Sequence, residues 1–180
     1  MRVITGTARG RKMKTLDGLD TRPTTDRIKE SIFNIVQFDV EGRRVLDLFA
    51  GSGQMAIEAV SRGAASAVAI DCAAAAISVI RENVKTCNFQ DQIRVMQADF
   101  KSFLKSDPGK FDLIFLDPPY KGEMINNALD LIAQIDILSE GGIIVCETER
   151  DKRLIDLDAP YAKGREYLYG KSKITIYRKG

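Results

Sequence analysis

Leu113-Ile114-Phe115-Leu116-Asp117-Pro118-Pro119-Tyr120 is an apolar run that ends in an acid, two prolines and an aromatic ring. The run has the composition of a buried parallel strand. The prolines stop it, because each lacks a ladder N–H and has φ fixed near −65°. Asp117 and Tyr120 are thereby left at the carboxyl edge of a sheet, where open α/β sheets bind their ligands.

Working outward, strand-like runs recur at Arg44 to Leu48, Ala67 to Ile70, Ile93 to Gln97 and Ile143 to Glu147, the last opened by a turn at Gly141-Gly142. Helical periodicity separates them over Gln54 to Arg62, Ala74 to Thr86, a short segment after Phe100, and a segment marked by Ile125, Ala128, Leu129 and Ile132. Strand–helix alternation with crossover-length connections predicts a doubly wound, mostly parallel α/β sheet. Tyr161 to Tyr169 and Ser172 to Arg178 alternate about Gly170 as an antiparallel hairpin, which brings the sheet to seven strands. Before this core, Arg22-Pro23-Thr24-Thr25 opens a helix, with either threonine as N-cap and Ile28, Ile32, Ile35 and Val36 on one face, that ends near Phe38. Val3 to Thr5 and Met13 to Leu16 read as short strands of a hairpin about Gly6–Gly10. The chain is thus one domain, residues 1–180, in which 1–40 form a basic N-terminal hairpin and helix extension and 41–180 the core.

Composition narrows the chemistry. An apolar content of 44% and a charged content of 29% are those of a soluble globule, and no run approaches a membrane span. Three scattered cysteines argue against a disulfide framework or zinc site and for a reducing, cytoplasmic setting. The absence of histidine removes His bases, His triads and most catalytic zinc sites, so no metal is expected. The net charge of +2 divides into +4 over residues 1–30, −7 over 31–159 and +5 over 160–180. Basic ends around an acidic centre fit a polyanion at the ends and a cationic ligand in the middle. Arg9, Arg11, Lys12 and Lys14 are spaced to follow a phosphate backbone, with Lys171 and Lys173 as further contacts at the other end.

Two motifs carry the chemistry. Asp47-Leu48-Phe49-Ala50-Gly51-Ser52-Gly53 places Gly51 and Gly53 in a tight turn that a ligand can approach, and Asp71 follows Gly51 by twenty residues, the spacing of a ribose-binding acid. Asp47, Asp71, Asp99 and Asp117 all fall at strand ends, so four carboxylates share one edge. Such an edge repels a pyrophosphate and attracts the sulfonium and ammonium of S-adenosylmethionine. Asp47 is expected near the amino-acid end, Asp71 on the ribose hydroxyls, and Asp99 near the adenine amine with Phe100 against the ring; Asp99 also suits a helix N-cap. At the second motif, Asp117 and the Pro118 carbonyl can accept both N–H groups of an exocyclic base amine. Pro119 stiffens the turn and Tyr120 offers a stacking face. Positioning of this kind supplies up to about 7–11 kcal/mol of a barrier. The target base must first leave its helix, at a cost of a few kcal/mol, and stacking offsets about 1–3 kcal/mol of that.

Asp47–Gly53 and Asp117–Tyr120, in this order and spacing, resemble the class I S-adenosylmethionine-dependent methyltransferases that act on amino groups, whose fold is Rossmann-like. Thr21 to Asn34 (Thr-Arg-Pro-Thr-Thr-Asp-Arg-Ile-Lys-Glu-Ser-Ile-Phe-Asn), the basic Arg-Gly-Arg-Lys at 9–12 and Ser61-Arg62-Gly63-Ala64 resemble the bacterial 16S ribosomal RNA guanine-N2 methyltransferases of the RsmD family. The resemblance covers nearly the whole chain. It implies that Asp117 to Tyr120 hold the guanine amine, that Arg22 and Thr24 close over the methionine end of the cofactor, and that Arg27 and the basic arm meet 16S ribosomal RNA, in a small-subunit assembly particle. Gln54-Met55-Ala56 and Cys72 depart from the family pattern, at positions that usually hold small residues and a basic residue respectively. Asp-Pro-Pro-Tyr is shared with adenine-N6 methyltransferases of DNA, so that reaction remains an alternative, as does a non-catalytic RNA-binding or assembly factor that keeps the fold. A nicotinamide dehydrogenase is disfavoured by Asp47.

Overall fold

The structure is a computed structural model that describes residues 1–16, 26–119 and 123–180. Five parallel strands, β1 (Arg44–Asp47), β2 (Ser66–Asp71), β3 (Ile93–Gln97), β4 (Phe111–Leu116) and β5 (Leu138–Glu149), form one sheet with β6 (Tyr161–Tyr169) and β7 (Ser172–Lys179). The strand order is β3-β2-β1-β4-β5-β7-β6, and β7 runs antiparallel to both β5 and β6. The order reverses between β1 and β4, which opens a crevice at their carboxyl ends. Strand alternation divides the core into two layers. Val45, Leu113, Phe115, Ile143 and Val145 pack beneath α1 (Asp26–Ile35), α2 (Gln54–Ser61) and α3 (Ala74–Thr86). Leu46, Leu48, Ile114, Leu116, Ile144 and Cys146 pack beneath α4 (Phe100–Lys105) and α5 (Met124–Ile135).

Two elements differ from the sequence reading. β5 begins at Leu138 rather than Ile143, because Leu138 pairs with Phe111 across a register shift and draws Gly141-Gly142 into the strand. The N-terminal arm doubles back on itself in an antiparallel sense, with pairing too short to make two full strands. It has one isolated bridge, Arg2–Lys12, and a few cross-arm backbone bonds, such as Val3 N–H to Arg11 C=O at 3.0 Å. The expected caps of α1, Thr24 and Thr25, lie outside the described residues. Among the described residues no helix is long and apolar enough to cross a membrane.

Side chains from the core hold the arm in place of a ladder. Glu58 of α2 accepts the N–H of Ile4 at 2.9 Å and of Thr5 at 3.0 Å. Ser61 accepts the Ala8 N–H on Oγ at 3.0 Å and donates from Oγ to the Thr5 carbonyl at 2.6 Å. Lys29 of α1 donates to the Arg2 carbonyl at 2.7 Å and lies 3.5 Å from Glu58. Lys29 and Glu58 are both fully buried, and Arg62 adds a third charge, its Nε 2.9 Å from the Glu58 carboxylate. Burial pushes the Lys29 ammonium below its ordinary pKa, while Glu58 and Asp26 pull it back up. Taking one partner out of a buried pair leaves an uncompensated charge and costs about 3–5 kcal/mol. Glu58→Ala is therefore expected to lower the free energy of urea unfolding by about that amount. Lys29→Met is expected to cost less, since Glu58 keeps Arg62 and two backbone donors.

Candidate active site

The carboxyl edge is built where β1 and β4 end side by side. Val45 pairs with Leu113 and Asp47 with Phe115, so Asp117 emerges next to the turn that follows Asp47. Asp47 is 2% exposed. Its Oδ2 accepts the Ala56 N–H of α2 at 3.3 Å, which ties the strand end to the helix it feeds. Burial raises its pKa to about 7, the Ala56 N–H opposes this, and Asp117 and Asp71 raise it further. The carboxyl is thus poised between charged and neutral, and a neighbouring cation shifts it to the charged form.

The glycine loop sits beside it. Gly53 has φ +78°, and a Cβ there would meet Ile80 Cγ2 at 2.9 Å, so this position closes loop against helix. Gly51 has φ +55° with nothing within 4 Å of where its Cβ would be, which leaves the backbone open to a ligand. Asp71 orders the loop: one oxygen accepts the Gly51 N–H and the other the Ala73 N–H, both at 2.9 Å. The half-buried Asp71 can still face a ribose diol, since a carboxylate has about four acceptor sites. A buried carboxylate facing two others, next to an open glycine backbone, fits the cationic amino-acid end of S-adenosylmethionine.

The remaining expected residues divide into three groups. Asp117 is half-buried, Pro118 buried and Pro119 exposed at the strand end. Asp99 is exposed and caps α4 by accepting the N–H groups of Lys101 and Ser102. Tyr120, Arg22 and Thr24 lie outside the described residues. Phe100 opens α4 directly after Asp99. It is only 7% exposed and packs against Phe49, with ring centroids 5.3 Å apart. Phe49, half-buried just past β1, is the more accessible ring. The sequence reading did not single out Phe49, which packs on Phe100 just past β1. Asn83, which holds the loop from α3, was missed too, because a lone Asn in a helix carries no sequence signal of its own.

Among the basic candidates, Arg9, Arg11, Lys12, Arg27 and Lys171 are exposed. Lys14 is exposed and paired with Glu82 at 2.6 Å. Lys173 requires a correction: it is 6% exposed, donates to the Lys152 carbonyl at 2.7 Å and lies 3.4 Å from Glu166. Its ammonium is committed within the fold and cannot meet a phosphate. No cluster of three or more Asp, Glu, Cys or His side chains able to hold a metal occurs among the described residues.

Residues 1–178 match the family described as "Conserved hypothetical protein 95". The chain belongs to that family. It is similar to "Putative rRNA methyltransferase YlbH" of Bacillus subtilis, with 40% identity over 99% of both chains. It is also similar to "Ribosomal RNA small subunit methyltransferase D" of Escherichia coli, 31% identical over 99% of this chain and 90% of that one. The solved structure "Putative methyltransferase yhhF" from Escherichia coli superposes with a TM-score of 0.90 at 30% identity, covering 99% of this chain and 97% of that one. An RNA methyltransferase from Salinibacter ruber, solved with S-adenosyl-L-homocysteine, shares the fold with a TM-score of 0.65 at 20% identity, over 86% of this chain and 91% of that one. Family and fold are therefore those expected from the motifs: a class I methyltransferase sheet spanning the chain.

The raised Asp47 pKa has a consequence for the ligand-free protein. An acid whose folded pKa lies above its unfolded value of 3.8 binds more protons folded than unfolded between pH 4 and about 7. Its contribution to stability is present below pH 4 and is lost as pH rises toward 7. Asp47→Asn removes that dependence. Ligand-free thermal midpoints measured from pH 4 to 8 are expected to show the variant gaining on the wild type up to pH 7 and then running parallel to it.

Proposed function

We propose that this chain transfers a methyl group from S-adenosylmethionine to the exocyclic N2 amine of a guanine in small-subunit ribosomal RNA. The observation that carries the reading is that Asp117-Pro118 follows Phe115, the register partner of the buried Asp47, at one sheet edge, in a chain whose relatives are named as ribosomal RNA methyltransferases. Asp47 holds the cationic amino-acid end of the cofactor, Gly51 and Gly53 give it backbone access, Asp71 takes the ribose hydroxyls, and Asp99 faces the adenine amine. When bound, S-adenosylmethionine supplies a methyl group on an electrophilic sulfonium.

Asp117 and the Pro118 carbonyl accept the two N–H groups of the guanine amine. The nitrogen lone pair is otherwise delocalised into the ring, and this grip favours a pyramidal nitrogen aimed at the methyl group. Pro118 and Pro119 fix that geometry through their restricted backbone. On this reading Tyr120 is the stacking face for the extruded base, and Arg22 and Thr24 are the residues that close over the methionine end of the cofactor. Arg9, Arg11, Lys12, Lys14, Arg27 and Lys171 meet the RNA backbone, within a partly assembled small subunit. The unpaired Cys72, Cys87 and Cys146 suit a reducing cytoplasm.

The test is a methyl-transfer assay on naked small-subunit RNA, partly assembled particles and duplex DNA, with nucleoside analysis of the product. N2-methylguanosine from the RNA or the particles is expected, and methylated adenine from DNA alone would overturn the assignment. Asp117→Ala is expected to reduce turnover by at least about 100-fold while S-adenosylhomocysteine binding is largely retained. Loss of that binding in step with turnover would place Asp117 on the cofactor instead.

A further inference from the structure

Asn83 lies on α3 and is 1% exposed. Its amide makes three hydrogen bonds to backbone groups far away in sequence. Oδ1 accepts the Lys14 N–H at 2.7 Å. Nδ2 donates to the Lys14 carbonyl at 3.0 Å and to the Ser52 carbonyl at 2.9 Å. Both orientations of the amide are not equivalent here, because two carbonyls require the NH₂ group and one N–H requires the oxygen. Lys14 ends the best-anchored part of the basic arm, and Ser52 sits between Gly51 and Gly53. One buried side chain therefore grips the arm and the cofactor loop at once.

The loop is pinned from two sides of the same strand–helix unit. Asp71, at the end of β2, takes the Gly51 N–H, and Asn83, two turns into α3, takes the Ser52 carbonyl. Ser52 Oγ also lies 3.7 Å from Met1 Sδ, a second contact between arm and loop. On its outer side the arm presents Arg9, Arg11 and Lys12 to solvent. If the arm shifts, the Lys14 backbone leaves Asn83, and the amide is free to rotate away from Ser52. Glycines flank Ser52, so the backbone on either side of that carbonyl can turn once the amide lets go.

We propose that Asn83 is a positioning residue that couples the RNA-contacting arm to the cofactor loop, so that RNA on the arm and cofactor on the loop strengthen each other's binding. The proposal rests on the methyltransferase reading above. The coupling is reciprocal by thermodynamic necessity: whatever factor RNA adds to cofactor affinity, cofactor adds to RNA affinity. The bland alternative is that Asn83 is structural glue, which affects stability and nothing else.

The test is calorimetric titration of the full chain with S-adenosylhomocysteine, before and after saturation with small-subunit ribosomal RNA. In the wild type, RNA is expected to tighten the dissociation constant roughly ten-fold. In Asn83→Asp, which keeps the Lys14 N–H acceptor but loses both donors, the RNA effect is expected to vanish. The Michaelis constant for S-adenosylmethionine should rise roughly ten-fold while kcat at saturating cofactor stays within about two-fold. Lys14→Pro removes the N–H that Asn83 Oδ1 accepts and leaves α3 intact; set beside Lys14→Ala, which loses the same ammonium but keeps that N–H, it should give the same loss if Asn83→Asp folds poorly. Glu82→Gln removes the Lys14 ammonium's partner but not the amide latch, and should keep the RNA effect. A fall in thermal midpoint with the RNA effect intact in both Asn83→Asp and Lys14→Pro would overturn the proposal, as would a wild type whose S-adenosylhomocysteine affinity ignores RNA. Failure of the wild type to bind S-adenosylhomocysteine in the first titration would instead overturn the methyltransferase reading beneath it.

Discussion

A carboxylate at 2% exposure is costly to keep charged, and Asp47 occupies such a place at the end of the shortest strand of the sheet. Burying an unpaired carboxylate costs several kcal/mol, and proteins commonly respond by shifting its pKa. The surroundings of Asp47 reduce that cost without cancelling it. The Ala56 N–H gives one hydrogen bond, and the start of α2 brings donors toward it, while Asp71 and Asp117 keep the local potential negative. The glycine turn must then be tight enough to bring α2 back over β1 within reach of that carboxylate. The position of α2 in turn decides where Glu58 and Ser61 stand to receive the arm. A site that is electrostatically incomplete by itself is one that a cation completes, and this is the physical content of the match between the edge and a sulfonium cofactor.

From α2 the dependence runs on to the catalytic strand through a continuous set of contacts. Glu58 holds Arg62, whose guanidinium lies 4.6 Å from the centre of the Phe33 ring. Phe33 of α1 packs on Phe115 of β4, with ring centroids 5.6 Å apart. Phe115 is two residues before Asp117 and pairs in register with Asp47. The buried ion pair, the first helix and the Asp-Pro-Pro strand therefore share one packed layer. A buried pair such as Lys29–Glu58 adds little net stability over an apolar replacement. Its geometric demands, met here by two arm N–H groups and the Arg2 carbonyl, fix where α1 and the arm sit.

Most of the core was legible because its signals are local. Alternating and continuous apolar runs set the strands, 3.6-residue periodicity set the helices, and acids at strand ends marked the functional edge. What was not legible depends on partners distant in sequence. Lys173 counts as a basic terminal residue in the sequence, yet it is held by Glu166 and by the carbonyl of Lys152, more than twenty residues back. Lys179 is likewise buried against Asp136, at 2.6 Å. Charge counting treats each lysine as solvated, and so it overstated the basicity of the chain's end. The early start of β5 depends on Leu138 finding Phe111, which no local rule contains. The arm reads as a hairpin because its apolar residues alternate, but alongside a few cross-arm bonds much of its backbone is bound by side chains of α1, α2 and α3. Which ring of the Phe100–Phe49 pair is more covered likewise depends on the neighbouring helix.

The way the arm is anchored also explains how the two signs of charge stay apart. The acidic middle of the chain and the basic arm attract each other, and a flexible arm would fold its cations onto the carboxylates at the sheet edge. Glu58, Ser61 and Asn83 hold the arm by its backbone N–H and C=O groups rather than by its side chains. Arg9, Arg11 and Lys12 consequently remain exposed, and Lys14 is neutralised only at the surface, where ion pairs are worth at most about 1 kcal/mol and yield to a denser polyanion. An arm fixed in this way holds Arg9, Arg11 and Lys12 at a set distance from Asp47 and Asp117. On the reading proposed above, a base extruded from RNA bound along the arm reaches the edge by a path that these backbone contacts set.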